Sequence, residues 1–146
     1  MSASLPQFKF EIASPERVVM KEQVTQVTVP TVMGEVTILP SHIPLVSLLV
    51  PGVIELTTID GRREVMSVSG GLLEVMTGKV VILADTAERA VELDEARIIE
   101  AQTRAEALKD KARHFDNVEF ARLSAMIEKE IARGRAVKRW KRINIK

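Results

Sequence analysis

The chain has 146 residues, 46% of them apolar, which suits one domain with a core, or one domain plus a small appendage, and excludes wholesale disorder. It has no cysteine, so disulfides, thiolate chemistry and cysteine-based zinc sites are excluded; no apolar run reaches the roughly 18 residues of a membrane span. Net charge is +1 but uneven: residues 1–93 hold 7 Lys and Arg against 11 Asp and Glu, net −4, while residues 94–146 hold 14 against 9, net +5, an asymmetry that predicts two parts with different partners.

The start, Met1 to Pro6, is neither basic nor apolar, so it does not read as a signal peptide, and the chain reads as soluble. From there to about residue 84 the apolar positions alternate. Phe8, Phe10 and Ile12 point one way, with Lys9 and Glu11 between them. Val24, Val27 and Val29 follow, with Gln26 marking a bulge or twist. Short runs rich in Val, Ile and Thr continue at Val36–Ile38, Pro44–Val50, Val53–Ile59, Glu64–Val68, Leu72–Met76 and Val80–Leu83. Met33-Gly34, Pro40-Ser41, Pro51-Gly52, Asp60-Gly61, Gly70-Gly71 and Thr77-Gly78 separate them as turns. Asp60-Gly61 reads as a tight hairpin. Eight or nine short strands at this spacing predict an antiparallel β-sandwich or flattened barrel over residues 1–90.

The period changes at Leu93-Asp94. Residues 94–146 contain no proline and one glycine, Gly134. Asp94 is a good helix N-cap. Ala101, Ala105, Leu108, Ala112 and Phe115 form one helical stripe. Asp116-Asn117 breaks the run and caps a second helix, whose stripe is Phe120, Leu123, Ile127, Ile131, Gly134 and Val137. So short a break predicts an antiparallel two-helix hairpin over residues 91–146. A stripe this thin removes a few hundred Å² of apolar surface when it docks, roughly 5–10 kcal/mol gross at about 25 cal/mol/Å². The hairpin is therefore expected to be detachable from the sandwich.

The signals from about Phe8 to Arg139 resemble, in order and spacing, the epsilon subunit of bacterial F-type ATP synthases, the mitochondrial delta subunit. The segments that carry this are Phe10-Glu11-Ile12-Ala13-Ser14-Pro15-Glu16, Gly34 to Leu45 with its Leu39-Pro40-Ser41-His42-Ile43-Pro44, Pro51-Gly52-Val53-Ile54, Ser69 to Val75, and Leu83-Ala84-Asp85-Thr86-Ala87-Glu88. The ending, Val137 to Lys146, is longer and more basic than the family pattern. The resemblance implies a noncatalytic rotor subunit. Its sandwich binds the gamma subunit of the central stalk and the c-subunit ring. Its hairpin moves between a compact state and an extended state that reaches the catalytic beta and alpha subunits and opposes ATP hydrolysis. It implies a peripheral place on the cytoplasmic side of the cell membrane, through the complex, with no nucleic acid partner.

On the same footing, Glu35, Ser41, His42 and Gly52 are the expected ring and stalk interface. Some subunits of this kind bind ATP on the compact hairpin, in a pattern similar to Glu88, Leu93, Asp94, Arg97, Arg104, Lys129 and Arg133. Arg97 and Arg104 lie two turns apart on one helix and Lys129 and Arg133 one turn apart on the other, so four cations facing one cleft would hold phosphates. Lys129 stands where the pattern has arginine, and Ile98 where it has alanine. No cofactor is required; regulatory ATP is the one ligand implied. Second-helix cations, here Arg122, Lys129, Arg133, Arg135, Lys138 and Arg139, are expected to meet an acidic segment of the beta subunit.

The residues themselves leave other readings open. The basic end, with Trp140 among Lys138, Arg139, Lys141 and Arg142, also suits a nucleic acid or anionic lipid surface, or a solvated tail. No phosphate loop is present, because Val80 follows Gly78-Lys79 and Leu73 stands where the first glycine belongs. His42 and His114 are distant and lack a nucleophile and an orienting acid, so neither catalysis at His42 or Asp85 nor a metal site is expected.

Overall fold

The structure, a computed structural model, describes residues 5–114 and 116–144. Among the described residues nine strands share one hydrogen-bonded network: β1 (Phe8–Ala13), β2 (Val18–Thr31), β3 (Gly34–Ile38), β4 (Leu45–Leu49), β5 (Gly52–Thr58), β6 (Arg63–Val68), β7 (Gly71–Met76), β8 (Lys79–Ala84) and β9 (Ala87–Arg89). Their order is β1-β8-β7-β4-β2-β5-β6-β9, with β3 beside β2.

The 14-residue strand β2 makes this a sandwich. It pairs first with β1 through Val18–Val24 and then with β3 through Val27–Thr31. It also pairs with β5 and, at Thr31, with Leu49 of β4. The ladders β1–β8–β7–β4 therefore begin and end on β2 and enclose a core. At Thr25 the register against β5 slips by one residue, next to the expected bulge at Gln26. An extra residue there bends and twists the strand, which lets β2 serve both layers. The pairing is antiparallel as expected, apart from the parallel β1–β8 ladder.

Period-2 burial follows from this geometry. Phe8, Phe10 and Ile12 of β1, Val24, Val27 and Val29 of β2, Ile54 and Leu56 of β5, and Leu73 and Ile82 of β7 and β8 fill one core. The Asp60-Gly61 turn closes β5 onto β6. Gly61 donates its N–H to the Thr58 carbonyl (3.0 Å) and Thr58 donates to the Arg62 carbonyl (2.9 Å), with Gly61 at φ 85°. That is a three-residue loop whose last position favours glycine. Strand β6 departs from alternation: Val65, Met66, Ser67 and Val68 are all buried. Its inner face meets the core and its outer face is covered by a helix.

That cover is the second of two helices. After a 3-10 turn at Ala90–Glu92, α1 spans Glu95–Lys111. Asp94 caps it, accepting the Ala96 and Arg97 N–H groups at 3.0 and 3.4 Å. A second 3-10 turn (Ala112–His114) precedes α2, Asn117–Asn144. Asp116 caps α2 through the Glu119 N–H at 2.8 Å. With no proline, α2 runs unbroken for 28 residues, about 42 Å. It lies along β5 and β6, and α1 rests chiefly on α2.

The buried stripes differ from those expected. On α1 the buried residues are Ile98 and Ala105, with Ala112 buried in the turn that follows; Leu108 is exposed, and Phe115 lies outside the described residues. On α2 they are Leu123, Ala132, Ala136 and Val137, whereas Phe120 and Ile131 face solvent. The reason is that α2 is covered on two sides, so its buried arc is wide and must be thin-walled. Ala136, Trp140 and Ile143 pack on Val53, Val65 and Ala90 of the sandwich. At Gly134 a Cβ would lie 2.9 Å from the Gln102 amide nitrogen, so the glycine lets α1 approach closely. The same amide donates to the Glu130 carbonyl at 3.1 Å.

Candidate functional site

The seam between hairpin and sandwich is charged. Arg133 of α2 forks onto Glu88 of β9, its Nε 2.6 Å from one carboxylate oxygen and its Nη2 on the other. Its Nη1 donates to Glu130 at 2.6 Å. Forked, charge-assisted bonds of this kind are among the stronger polar contacts. The hydrogen bonds to Glu88 push the Arg133 pKa up. Further along, Arg139 donates through Nε to Glu55 of β5 at 2.7 Å, and Arg63 takes the other Glu55 oxygen. Burial pushes the Glu55 carboxyl upward, but the hydrogen bonds from Arg139 and Arg63 outweigh it and hold the group below its usual range. The acidic first half and basic second half are thus partly each other's partners.

The residues named for ATP lie on β9, at the start of and along α1, and on α2. Glu88 and Arg133 are brought together, but bonded to each other. Asp94 is occupied as the N-cap of α1. Arg97 is 87% exposed and leans on Asp94 at 3.7 Å. Arg104 donates to the Glu100 carbonyl of its own helix at 3.4 Å. Leu93 is half-buried, as is Lys129, which makes no ion pair among the described residues. Ile98, Gln102 and Ala105 are the α1 positions turned inward, which leaves Arg97 and Arg104 on its flank.

The four interface residues fall in two places. Glu35 is the second residue of β3 and Gly52 opens β5, and both border a cleft of about 460 Å³ between the β2–β3–β5 surface and α2. Gly52 is buried, and a Cβ there would sit 2.9 Å from Pro30 Cβ, so the close approach of β2 and β5 requires glycine. Ser41, at φ 67°, and His42 lie past the opposite end of β3, roughly 15–20 Å away by strand rise. His42 is tied to its own loop, its amide donating to the Leu39 carbonyl (3.2 Å) and its Nδ1 2.6 Å from the Ile43 oxygen. Of the expected basic face, Arg122, Arg135 and Lys138 are exposed, whereas Arg133 and Arg139 are held by the sandwich.

One feature of the surface escaped the sequence reading. Val46 and Leu48 of β4 and Leu83 of β8 are 66%, 60% and 56% exposed, and Leu72 of β7 is 36% exposed. Leu48 pairs with Leu72 and Leu72 with Leu83, so they form a row across three strands. A sheet face open to water should be polar; an apolar row marks a docking surface. The available signal was the nearly continuous apolar run Leu45-Val46-Ser47-Leu48-Leu49-Val50, which suits a strand covered on both faces. Among the described residues no cluster of His, Cys, Asp and Glu fits a metal ion, and no helix is long and apolar enough to cross a membrane.

A β-sandwich with one apolar outer face and a helical hairpin latched along another has the architecture of an assembly subunit. Residues 7–90 match the family described as ATP synthase, Delta/Epsilon chain, beta-sandwich domain. The chain is 48% identical to the ATP synthase epsilon chain of Dichelobacter nodosus over 101 residues, 69% of this chain and 71% of that one. It is 42% identical to that of Nitrosococcus oceani over 130 residues, 88% and 91% of the two chains. Its fold is also similar to a chain in the cryo-EM structure of the Euglena gracilis mitochondrial ATP synthase OSCP/F1/c-ring, with TM-score 0.75, 25% identity, and coverage of 90% of this chain and 81% of that one. The chain belongs to the ATP synthase delta/epsilon family.

Proposed function

We propose that this chain is a noncatalytic central-stalk subunit that couples the catalytic head of an F-type ATP synthase to its membrane ring. The observation that carries this is the apolar row Val46, Leu48, Leu72 and Leu83 on the outer face of β4, β7 and β8. That face suits the gamma subunit of the stalk. Glu35 and the loop at Ser41 and His42, at the two ends of β3, suit polar contacts with the stalk and the c-ring. The complex would hold the chain at the cytoplasmic side of the cell membrane. Leu48→Glu with Leu83→Glu alters two exposed positions, so the free subunit should keep its fold while its complex with gamma weakens at least tenfold. Co-purification at the unaltered level would reject the assignment.

The hairpin is the regulatory part of the same proposal. In the docked state Arg133 and Arg139 are paired with Glu88 and Glu55 of the sandwich. An acidic segment of the catalytic subunit would have to compete for these same cations, so docking and inhibition exclude each other. Removing residues 94–146 should leave assembly intact and speed ATP hydrolysis by the reconstituted complex; unchanged hydrolysis would remove the regulatory role. Regulatory ATP at Arg97, Arg104, Lys129 and Arg133 would have to displace Glu88 from Arg133. Glu88→Gln would therefore tighten ATP binding there, measurable by titration calorimetry.

A further inference from the structure

One end of the sandwich carries an apolar tip beside a cationic helix face. Val32 and Met33 form the turn between β2 and β3, and both are exposed, Met33 to 88%. Hydrogen bonds fix this turn. The Thr31 hydroxyl donates to the Gly34 carbonyl at 2.6 Å and accepts the Met33 N–H at 3.1 Å. Val32 donates its N–H to the Leu48 carbonyl at 3.1 Å, and Val50 donates to the Pro30 carbonyl at 3.0 Å, which brings the exposed Val50 to the same end. Hairpin tips in water favour Gly, Asn, Asp or Ser; valine and methionine there gain nothing from water. Beside the tip, Arg135, Lys138, Arg139 and Arg142 of α2 line the cleft described above together with Gly34 and Val50. These cations stand at helical positions i, i+3, i+4 and i+7, one face roughly 10 Å long. Arg139 is held by Glu55, whereas Arg135, Lys138 and Arg142 are exposed and make no ion pair among the described residues. Four cations against two carboxylates, Glu35 and Glu55, leave this lining a net charge of +2. Asp85 borders Val32 in a separate hollow, outside the cationic lining.

We propose that this end of the chain, the Val32-Met33 tip with the Arg135, Lys138 and Arg142 face, seats directly on the surface of an anionic phospholipid bilayer. Two features side by side select that partner. A bilayer interface offers negative headgroups and an apolar layer within a few Å of each other, so cations stay among headgroups while short apolar side chains enter below them. An acidic protein segment would satisfy the cations and leave Met33 in water. A nucleic acid calls for aromatic side chains to stack on, and the cleft lining has none. Each unpaired cation near an anionic leaflet adds about fivefold to partitioning. Three such cations with a two-residue tip give weak, reversible attachment, which gains force where other contacts already hold the chain near a membrane. The contact goes beyond the stalk assignment, in which the membrane is reached only through other subunits. Glu35, offered above for polar contact with the c-ring, lies at the same end, so the lipid and ring contacts are neighbours.

The full chain, with no other subunit present, tests this by flotation with lipid vesicles. Vesicles of about 40% phosphatidylglycerol in phosphatidylcholine should bind at least about tenfold more tightly than pure phosphatidylcholine at about 0.05 M salt, with the advantage falling towards about 0.5 M. The chain has no cysteine, so Met33→Cys takes a single polarity-sensitive fluorophore. Its emission should shift to the blue on the anionic vesicles, and the same label at Met126→Cys, exposed on the hairpin, should not shift. Lys138→Glu with Arg142→Glu should weaken binding at least about tenfold and Met33→Ser at least about threefold. Lys109→Glu with Lys111→Glu, an equal change of charge in the last turn of α1, should weaken it less than about twofold. No flotation, or equal binding to the two kinds of vesicle, overturns the proposal. So does a loss in the Lys109, Lys111 variant equal to that in the Lys138, Arg142 variant. Full binding by Met33→Ser, or an unshifted label at Met33→Cys, would reduce the face to a plain polyanion contact, as for an acidic protein or a nucleic acid, and overturn it as well. Release of the bound chain by millimolar glycerol phosphate would assign the cations to a soluble phosphate and have the same consequence.

Discussion

Arg133→Ala removes the fork that joins α2 to β9. The side chains of Arg133, Glu88 and Glu130 are 22%, 28% and 14% exposed, so the cluster lies between the surface and buried limits. Exposed pairs are worth about 0.2–1 kcal/mol, and breaking a buried pair costs about 3–5. The substitution also leaves Glu88 and Glu130 facing each other without their common cation. We therefore expect about 2 kcal/mol against the docked hairpin, close to thirtyfold in the ratio of docked to released forms. Hydrogen exchange along α2 measures that ratio directly, because released helices exchange through a low-energy opening while the sandwich core does not. A double-mutant cycle with Glu88→Gln isolates the pair. Protection of α2 equal to that of the unaltered chain, or strictly additive effects in the cycle, would refute the view that this contact latches the hairpin.

Acid should release the hairpin. The folded state holds the Glu55 carboxyl below its ordinary value of 4.5, so its contribution is complete above that pH and is lost as pH falls through the lowered value. Trp140 fluorescence should report this on acidification below about pH 4.5. Asp60 is held at about 2 by hydrogen bonds from the Thr58 hydroxyl and the Arg62 guanidinium, so the β5–β6 turn should loosen only at still lower pH. Raising salt from about 0.05 to 0.5 M should shift α2 towards release, since the Debye length falls severalfold and the seam is partly exposed; unchanged exchange rates across that range would assign docking to apolar packing alone. Gly71→Ala places a Cβ 2.3 Å from the Leu83 carbonyl oxygen at φ 143°, so it should cost more than about 3 kcal/mol of sandwich stability in thermal or urea unfolding.

The β half was legible because its signals are local. Alternation at Phe8, Phe10 and Ile12, the Asp60-Gly61 turn and the bulge beside Gln26 are set by neighbours along the chain, and each is found where it was read. The caps Asp94 and Asp116 were legible for the same reason. The helix stripes were legible only in part, with Ala105, Ala112, Leu123 and Val137 buried as expected, because the rest depends on what covers each face. Spacing of 3–4 residues places Phe120 and Ile131 in the stripe, but α2 is held between two surfaces that admit alanine and glycine more readily. Charge pairing across the fold was hidden too: Arg133 and Glu88 are 45 residues apart, and Arg139 and Glu55 are 84 apart. No periodicity links such positions. The apolar row on β4, β7 and β8 was present as residues but needed the strand order to become a surface.

The residues of the seam explain why charge rather than bulk holds the hairpin. Apart from Trp140 and Ile143, the packed side chains are small: Ala136 on α2, Val53, Val65 and Ala90 beneath. A few hundred Å² of such contact contributes roughly 5–10 kcal/mol gross, most of it offset by the cost of ordering a helix pair. On that nearly balanced background, two ion pairs worth a few kcal/mol would decide between docked and released forms. They would also make any release reversible. Larger apolar side chains at the seam would leave a sticky face on both halves after undocking, whereas Glu55, Glu88, Arg133 and Arg139 are all well solvated when separated. Under the proposed function the freed cations would be available for an acidic partner, and the same two carboxylates would compete to recapture them.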